Sequence, residues 1–446
     1  MLESLALRNV GPAAEMDLEF GSRLNLITGD NGLGKSFLLD VAWWALTRRW
    51  PQDLNANLNS GYAARPRDLK SKATLAFSVK AKSRSIRYES EYLRRDQSWQ
   101  GKAGRPGNPG LVLYALADGG FAVWDPARNY WRKRGGVDVQ ERVPAYVFGA
   151  KEVWDGLVAA VDDVDTVVCN GLLRDWASWI RERGADAERM AGVLRTLAPD
   201  VAGEVVQPGK GFARLSVSDA RDIPTVHMGY GQDVPILHAS LGVRRIVALS
   251  YMLAWAWREH LIAADALGEE PSTRVVLLFD EIEAHLHPKW QRAIVPALLE
   301  VVQTLTSSKR ATVQLIAATH SPLVLASVEP SFDPATDAWF DLDLEDSAVH
   351  LRKRPFVRHG DVSNWLTSEA FDLQAARSRP AEDAIREAFA LLRVPQPSRQ
   401  DVMRVDGSLR ASRIPELDPF WVRWGEFVAK HGSQATGTRS RNGRSR

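Results

Sequence analysis

Eight residues near the start of the chain, Gly29-Asp30-Asn31-Gly32-Leu33-Gly34-Lys35-Ser36, have the types and spacing that hold a polyphosphate. Glycines let backbone N–H groups close around an anion, and a helix beginning at such a loop turns its positive end toward it. Lys35 would reach the β- and γ-phosphates and Ser36 would ligate Mg²⁺. With Phe37, the residues Gly29, Asp30, Asn31, Gly32, Gly34, Lys35 and Ser36 form the candidate nucleotide-binding set. Far downstream, the apolar run Val275–Phe279 ends in Asp280-Glu281. Asp280 would hold Mg²⁺ through water, and Glu281 would orient and deprotonate an attacking water. His320 follows a second apolar run, Val313–Ala318, where an imidazole can hydrogen-bond a γ-phosphate. Ser240-Leu241-Gly242-Val243-Arg244-Arg245 precedes an apolar helix, so the Ser240 hydroxyl, the Gly242 N–H and the helix dipole would face one anion. A carboxylate pair, a capping serine or a lone histidine each has an ordinary structural explanation. The phosphate loop is what makes them one candidate site.

The elements that must position these residues follow from periodicity. Residues 1–28 read as short strands, with Met16, Leu18 and Phe20 alternating and Leu24–Thr28 a tight apolar run; Phe37–Leu46 has helical spacing. From Ala73 to Tyr146 the pattern has period two (Leu75/Phe77/Val79, Ile86/Tyr88, Leu111–Leu116, Phe121/Val123), which predicts an antiparallel β lobe. Residues 153–198 read as helical, with Val161, Val164, Val168, Leu172, Trp176 and Trp179 along one face. Val275–Phe279 and Val313–Ala318 read as central parallel strands covered on both faces. Trp43, Trp44, Trp176, Trp179, Trp255 and Trp257 fall on helical apolar faces and read as core.

Composition bounds the rest. The chain has 446 residues, 57 Lys+Arg against 55 Asp+Glu, one cysteine and 45% hydrophobic residues, enough to bury a core. A single cysteine, Cys169, forms neither an internal disulfide nor a thiolate cluster. Met1–Val10 lacks a signal peptide's apolar run, and no 18-residue apolar stretch occurs, so a soluble cytoplasmic protein without a membrane span is expected. The net charge of +2 is unevenly spread: residues 63–142 hold 17 basic and 8 acidic residues, and the last eight residues hold four arginines. The densest basic clusters, Arg94-Arg95 and Arg132-Lys133-Arg134, lie among Tyr88, Tyr92, Trp99, Trp124, Tyr130 and Trp131 and are candidates for DNA or RNA contact. The alternative is a solvated lobe whose charged edges prevent aggregation.

Together and in this order, the four motifs resemble the ATP-binding cassette ATPases of the RecF/SMC/OLD type, and among these the OLD-like group found in phage-defence systems. Arg23–Ser36 is similar to that family's N-terminus, Asp280-Glu281-Ile282-Glu283-Ala284-His285-Leu286-His287-Pro288 to its extended Walker B and D-loop, and Ala318–Pro322 to its switch histidine. The resemblance covers roughly residues 1–45 and 235–330. It implies an α/β fold: a P-loop NTPase, ABC-ATPase head carrying an antiparallel β lobe and a helical insertion between Walker A and the signature motif. The expected organisation is a head part at 1–50, a basic β lobe at 51–150, a helical insertion at 151–234, the second head part at 235–330, an extension at 331–431 and a disordered basic tail at 432–446.

The resemblance also implies ATP and Mg²⁺ as cofactors and a homodimer, or a higher oligomer of dimers. In such a dimer Ser240, Gly242 and Arg244 close in trans on the γ-phosphate bound by the partner copy. It further implies a separately encoded effector, since the 126 residues after His320 lack the acidic pattern of the nuclease domain found in true OLD proteins. The only Asp-x-Asp there, Asp341-Leu342-Asp343, alternates with apolar residues and reads as a strand with solvent-facing acids. A RecF-like mediator acting on DNA is the alternative. The signature Ala-Ser-Leu-Gly-Val-Arg lacks the adjacent glycines of transporter cassettes. Gln97, Gln100 and Gln140 are the Q-loop candidates, and His285 with His287 fits a D-loop better than a zinc site.

Overall fold

The structure, a computed structural model, describes residues 1–81, 84–101, 107–140, 144–161, 164–198, 206–371, 373 and 377–431. The basic tail expected at 432–446 lies outside the described residues. The chain divides into two units, 1–365 and 366–446.

An eight-stranded sheet organises the first unit. Its order is Ala145–Phe148, Phe121–Trp124, Leu111–Ala115, Arg274–Phe279, Thr312–Ala318, Leu24–Gly29, Asp337–Glu345 and Ala348–Arg354. The five central strands are parallel, and antiparallel strands close both edges. Alternate residues Ile27, Tyr114, Val276, Leu278 and Ile316 share one core with the helix Lys35–Thr47. Toward the other face, the helix Ile294–Thr306 packs on the strand Thr312–Ala318 and against the helix Leu241–Leu267. The antiparallel lobe is a five-stranded sheet ordered Glu15–Glu19, Leu2–Arg8, Thr74–Lys80, Ser85–Leu93, Ser98–Trp99. Its inner residues Leu5, Leu7, Leu75, Phe77 and Tyr88 join the core beneath Trp43 and Trp44. The buried Gln314 side chain ties lobe to central sheet, accepting from the Leu2 N–H (2.8 Å) and donating to the Leu2 carbonyl (2.7 Å).

Three boundaries differ from expectation. Leu111–Ala115 is buried along its whole length and pairs in parallel with Arg274–Phe279, so the strands Leu111–Ala115, Phe121–Trp124 and Ala145–Phe148 belong to the central sheet and the lobe ends near Trp99. Val161, Val164 and Val168 lie in a two-stranded hairpin, Leu157–Val161 with Val164–Cys169, as β-branched residues favour. The insertion then holds the helices Leu172–Glu182 and Ala185–Leu197 and a three-stranded sheet, Val206–Ala213, Ile223–Met228 and Asp233–Pro235. The extension expected at 331–431 is divided: Asp337–Arg354 completes the central sheet. In the second unit, helices Arg379–Leu392, Arg399–Ala411 and Phe420–His431 bury Ile385, Ala388, Leu409 and Trp424 together.

Candidate nucleotide site

Four segments of the first unit converge on one cavity of about 250 Å³, lined by Asn31, Gly32, Gly34, Lys35, Ser36, Asp280, Glu281 and His320. These come from the loop after Leu24–Gly29, the start of Lys35–Thr47, the end of Arg274–Phe279 and the turn after Thr312–Ala318. Because the strands are parallel neighbours in register, their C-terminal ends lie side by side, where α/β sheets bind ligands.

The Lys35 amine donates to the carbonyls of Gly29 and Asp30, both at 2.8 Å. Burial lowers its pKa, opposed by Asp280, Asp30, Glu281 and Glu283. Burial raises the Asp280 pKa, while the hydrogen bond from Ser36 holds it down. Two hard oxygen donors, the Ser36 hydroxyl and the Asp280 carboxylate, therefore meet at the cavity, a donor set that fits Mg²⁺. Glu281 is exposed to the cavity and has a positive φ of 50°, a conformation that non-glycine residues seldom adopt outside functional turns. For His320, burial and the nearby Lys35 both lower the pKa, which keeps the imidazole neutral near neutral pH.

Glu283 holds the turn after Thr312–Ala318 in place. Its carboxylate accepts from the Thr319 hydroxyl (2.7 Å) and the His320 N–H (2.5 Å). Ser321 donates to the Gln291 side chain at 2.8 Å and caps the helix Pro322–Val328. Arg245 spans two strand ends, donating to the carbonyls of Leu116 and Ala117 after one and of Asp280 after the other.

Ser240 caps Leu241–Leu267 by accepting the Val243 N–H. With Gly242 it lines a different cavity, about 630 Å³, together with Met228, Tyr230, His285, His287 and Trp290. Gly242 is required by close approach: a Cβ there would sit 2.7 Å from the His285 carbonyl oxygen. Arg244 does not join Ser240 and Gly242; its guanidinium lies over the Trp154 ring at 5.0 Å. Asp30 contributes its carbonyl rather than its exposed side chain, and Phe37 packs beside Gly11 instead of lining the cavity. Gln97, Gln100 and Gln140 do not line it either; Gln140 pairs with Arg49 and Asn129. The His287 ring accepts the Lys289 N–H and so caps a short helix.

Asp341 contradicts its expected place. It is wholly buried, not solvent-facing, and accepts the Thr28 hydroxyl at 2.6 Å. Alternation with Phe340 and Leu342 predicted an exposed face, but both faces of this strand are covered.

Arg94 and Arg95 are exposed near one end of the five-stranded sheet, whereas Arg132, Lys133 and Arg134 lie exposed on a separate hairpin, Trp131–Arg134 with Val137–Gln140. The two basic clusters belong to different sheets.

A phosphate loop, a carboxylate pair and a histidine thus lie on adjacent parallel strand ends, an arrangement suited to holding a nucleoside polyphosphate, with the capped helix Leu241–Leu267 in the same unit. A family profile described as an AAA domain matches residues 4–107, and one described as "AAA domain, putative AbiEii toxin, Type IV TA system" matches residues 166–326. The chain is 35% identical over 98 residues to the retron Vc95 probable ATPase of Vibrio cholerae serotype O1 biovar El Tor, covering 22% of this chain and 17% of that protein. It is 29% identical over 148 residues to the retron Ec83 probable ATPase of Escherichia coli, covering 33% and 23%. The matches thus span less than a quarter of either relative's length. Among solved structures, the SMC head domain from Thermotoga maritima aligns with 79% of this chain and 99% of its own at a TM-score of 0.37 and 14% identity. The recombination mediator RecF aligns with 79% and 98% at 0.37 and 14%. No helix among the described residues is long and apolar enough to cross a membrane.

Proposed function

We propose that the protein binds ATP in the 250 Å³ cavity, hydrolyses it, and uses the nucleotide to control association with a second copy of itself. The observation that carries the proposal is the convergence of Lys35, Ser36, Asp280, Glu281 and His320 on that cavity from positions up to 285 residues apart. Lys35 and the loop N–H groups pair with phosphate oxygens. Glu281 takes the proton of the attacking water, and neutral His320 hydrogen-bonds the γ-phosphate. Ser36 and, through water, Asp280 would hold Mg²⁺, which would supply charge neutralisation at the phosphates.

Ser240 and Gly242 line a cavity other than the one holding their own Lys35, which supports their acting on the nucleotide of a partner copy. Hydrolysis then removes the ligand common to both copies and releases the interface. In this proposal the load is a separately encoded effector, a nuclease in antiviral defence, a setting consistent with the two retron ATPases that the chain partly resembles. Phosphate release by the wild type, Lys35→Ala and Glu281→Gln tests the engine: both variants should fall to background, and wild-type turnover by either would refute the site.

A second reading, direct nucleic-acid contact as in a recombination mediator, is favoured by one observation: three consecutive exposed basic residues, Arg132, Lys133 and Arg134, on a hairpin.

A further inference from the structure

The strand Asp337–Glu345 is the parallel neighbour of the Walker A strand, with Asp341 opposite Thr28 and Leu342 opposite Gly29. Gripping is unusually close at both positions. Gly29 has φ 131°, and any Cβ there would collide with the Leu342 carbonyl oxygen. Thr28, wholly buried, donates its hydroxyl to Asp341 (2.6 Å) and accepts from the Trp339 indole N–H (2.8 Å). The Thr28 rotamer is thereby fixed from two sides. The residue it precedes supplies one of the two carbonyls that hold the Lys35 amine.

A carboxylate at 0% exposure is costly. If this strand only filled the sheet, an apolar side chain would serve as well or better. The groups facing Asp341 are few: Thr28 from the Walker A strand, Asp343 from its own, and from the return strand Arg354, at 3.5 Å from its second oxygen. Arg354 is itself held by Asp343 at 2.6 Å, and Arg352 by Asp343 and Glu345. Burial pushes the Asp341 carboxyl up to about 6, so it is ionised at neutral pH and a strong acceptor for Thr28. This ladder of charges runs inward from the exposed Arg352–Glu345 pair to the buried Asp341 and Thr28.

We propose that Asp341 is a positioning residue for the phosphate loop, setting, through Thr28, the placement of the Gly29 and Asp30 carbonyls and of Lys35, and hence the affinity for nucleotide. The inference rests on the ATP-site reading above. Mg-ATP titration by calorimetry, with the full chain, tests it in four proteins besides wild type: Asp341→Asn, Thr28→Val, Thr28→Ser and the Asp341→Asn/Thr28→Val pair. Asp341→Asn and Thr28→Val should each raise Kd about tenfold, as loss of one charge-assisted hydrogen bond does. The pair should cost no more than either single change, because the two residues act as one unit. Thr28→Ser, which keeps the hydroxyl, should bind as wild type. Melting of the nucleotide-free proteins separates affinity from folding, and the Val/Ser contrast at Thr28 decides the matter should Asp341→Asn not fold. Wild-type affinity in both Asp341→Asn and Thr28→Val, or additive losses in the pair, would overturn the inference. Absence of Mg-ATP binding by wild type would overturn the ATP-site reading, and this inference with it.

Discussion

Lys35 and Glu281 do separable work in the cavity they share. Lys35→Ala removes the amine held between Gly29 and Asp30 and should weaken Mg-ATP binding at least tenfold, read by calorimetry; unchanged affinity would count against the phosphate loop. Glu281→Gln leaves that amine in place and should keep nucleotide affinity while slowing hydrolysis about 10²- to 10⁴-fold, the usual worth of a general base. These residues were legible in the sequence because each motif is local: eight consecutive residues make the loop, and the Asp280-Glu281 pair ends its own strand. Glu283 was legible only as a neighbour of that pair. Its work is clamping Thr319 and His320, which lie 36 and 37 residues on, and nothing local announces a partner at that distance. Arg244 shows the converse, since a motif position alone does not reveal that Trp154 takes its guanidinium.

Two contacts between elements decide how firmly the cavity is framed. The start of the helix Leu241–Leu267 touches the turn at His285 through Gly242, where a Cβ would lie 2.7 Å from the His285 carbonyl. Gly242→Ala should therefore cost about 1–3 kcal/mol of stability, as overpacking does, and lower turnover; an unchanged denaturation midpoint would contradict the close approach. The Walker A helix meets the central sheet through Asp40, which accepts the Tyr114 hydroxyl at 3.0 Å. Burial raises the Asp40 carboxyl from 3.8 to about 7. The folded state thus keeps a proton that the unfolded chain has lost, and stability falls as pH rises between those values. Relative to wild type, Asp40→Asn should gain melting temperature from about pH 4 to about pH 7; a constant difference would sink the assignment. Strand order was less legible than strand content. Leu111–Ala115 reads equally as a lobe strand or a central one, because an apolar run of five does not say which neighbour it pairs with. The valines of the 157–169 hairpin fell on a helical spacing by coincidence, and their β-branching was the better guide.

For the molecule as a whole, the charge division seen in the sequence has an unexpected geometry. The outer face of the five-stranded sheet carries Glu15, Asp17, Glu19, Glu89 and Glu91 with Arg8, Lys80 and Arg87 among them, as the strand register places them together. The basic excess sits instead in the connections, at Arg65, Arg67, Lys70, Lys72, Arg94 and Arg95, and on the hairpin with Arg132, Lys133 and Arg134. Reversing Arg132, Lys133 and Arg134 should reduce filter binding of DNA and flatten its salt dependence, each lost phosphate contact lowering the log–log slope by about one. Binding indifferent to both salt and reversal would remove the second reading. The most direct test of the central claim is the solution mass of Glu281→Gln by light scattering, with and without Mg-ATP. A monomer is expected without nucleotide, a doubling of mass with it, and loss of that doubling when Ser240→Arg is added; a Glu281→Gln chain that binds Mg-ATP at saturation yet stays monomeric would contradict nucleotide-controlled association.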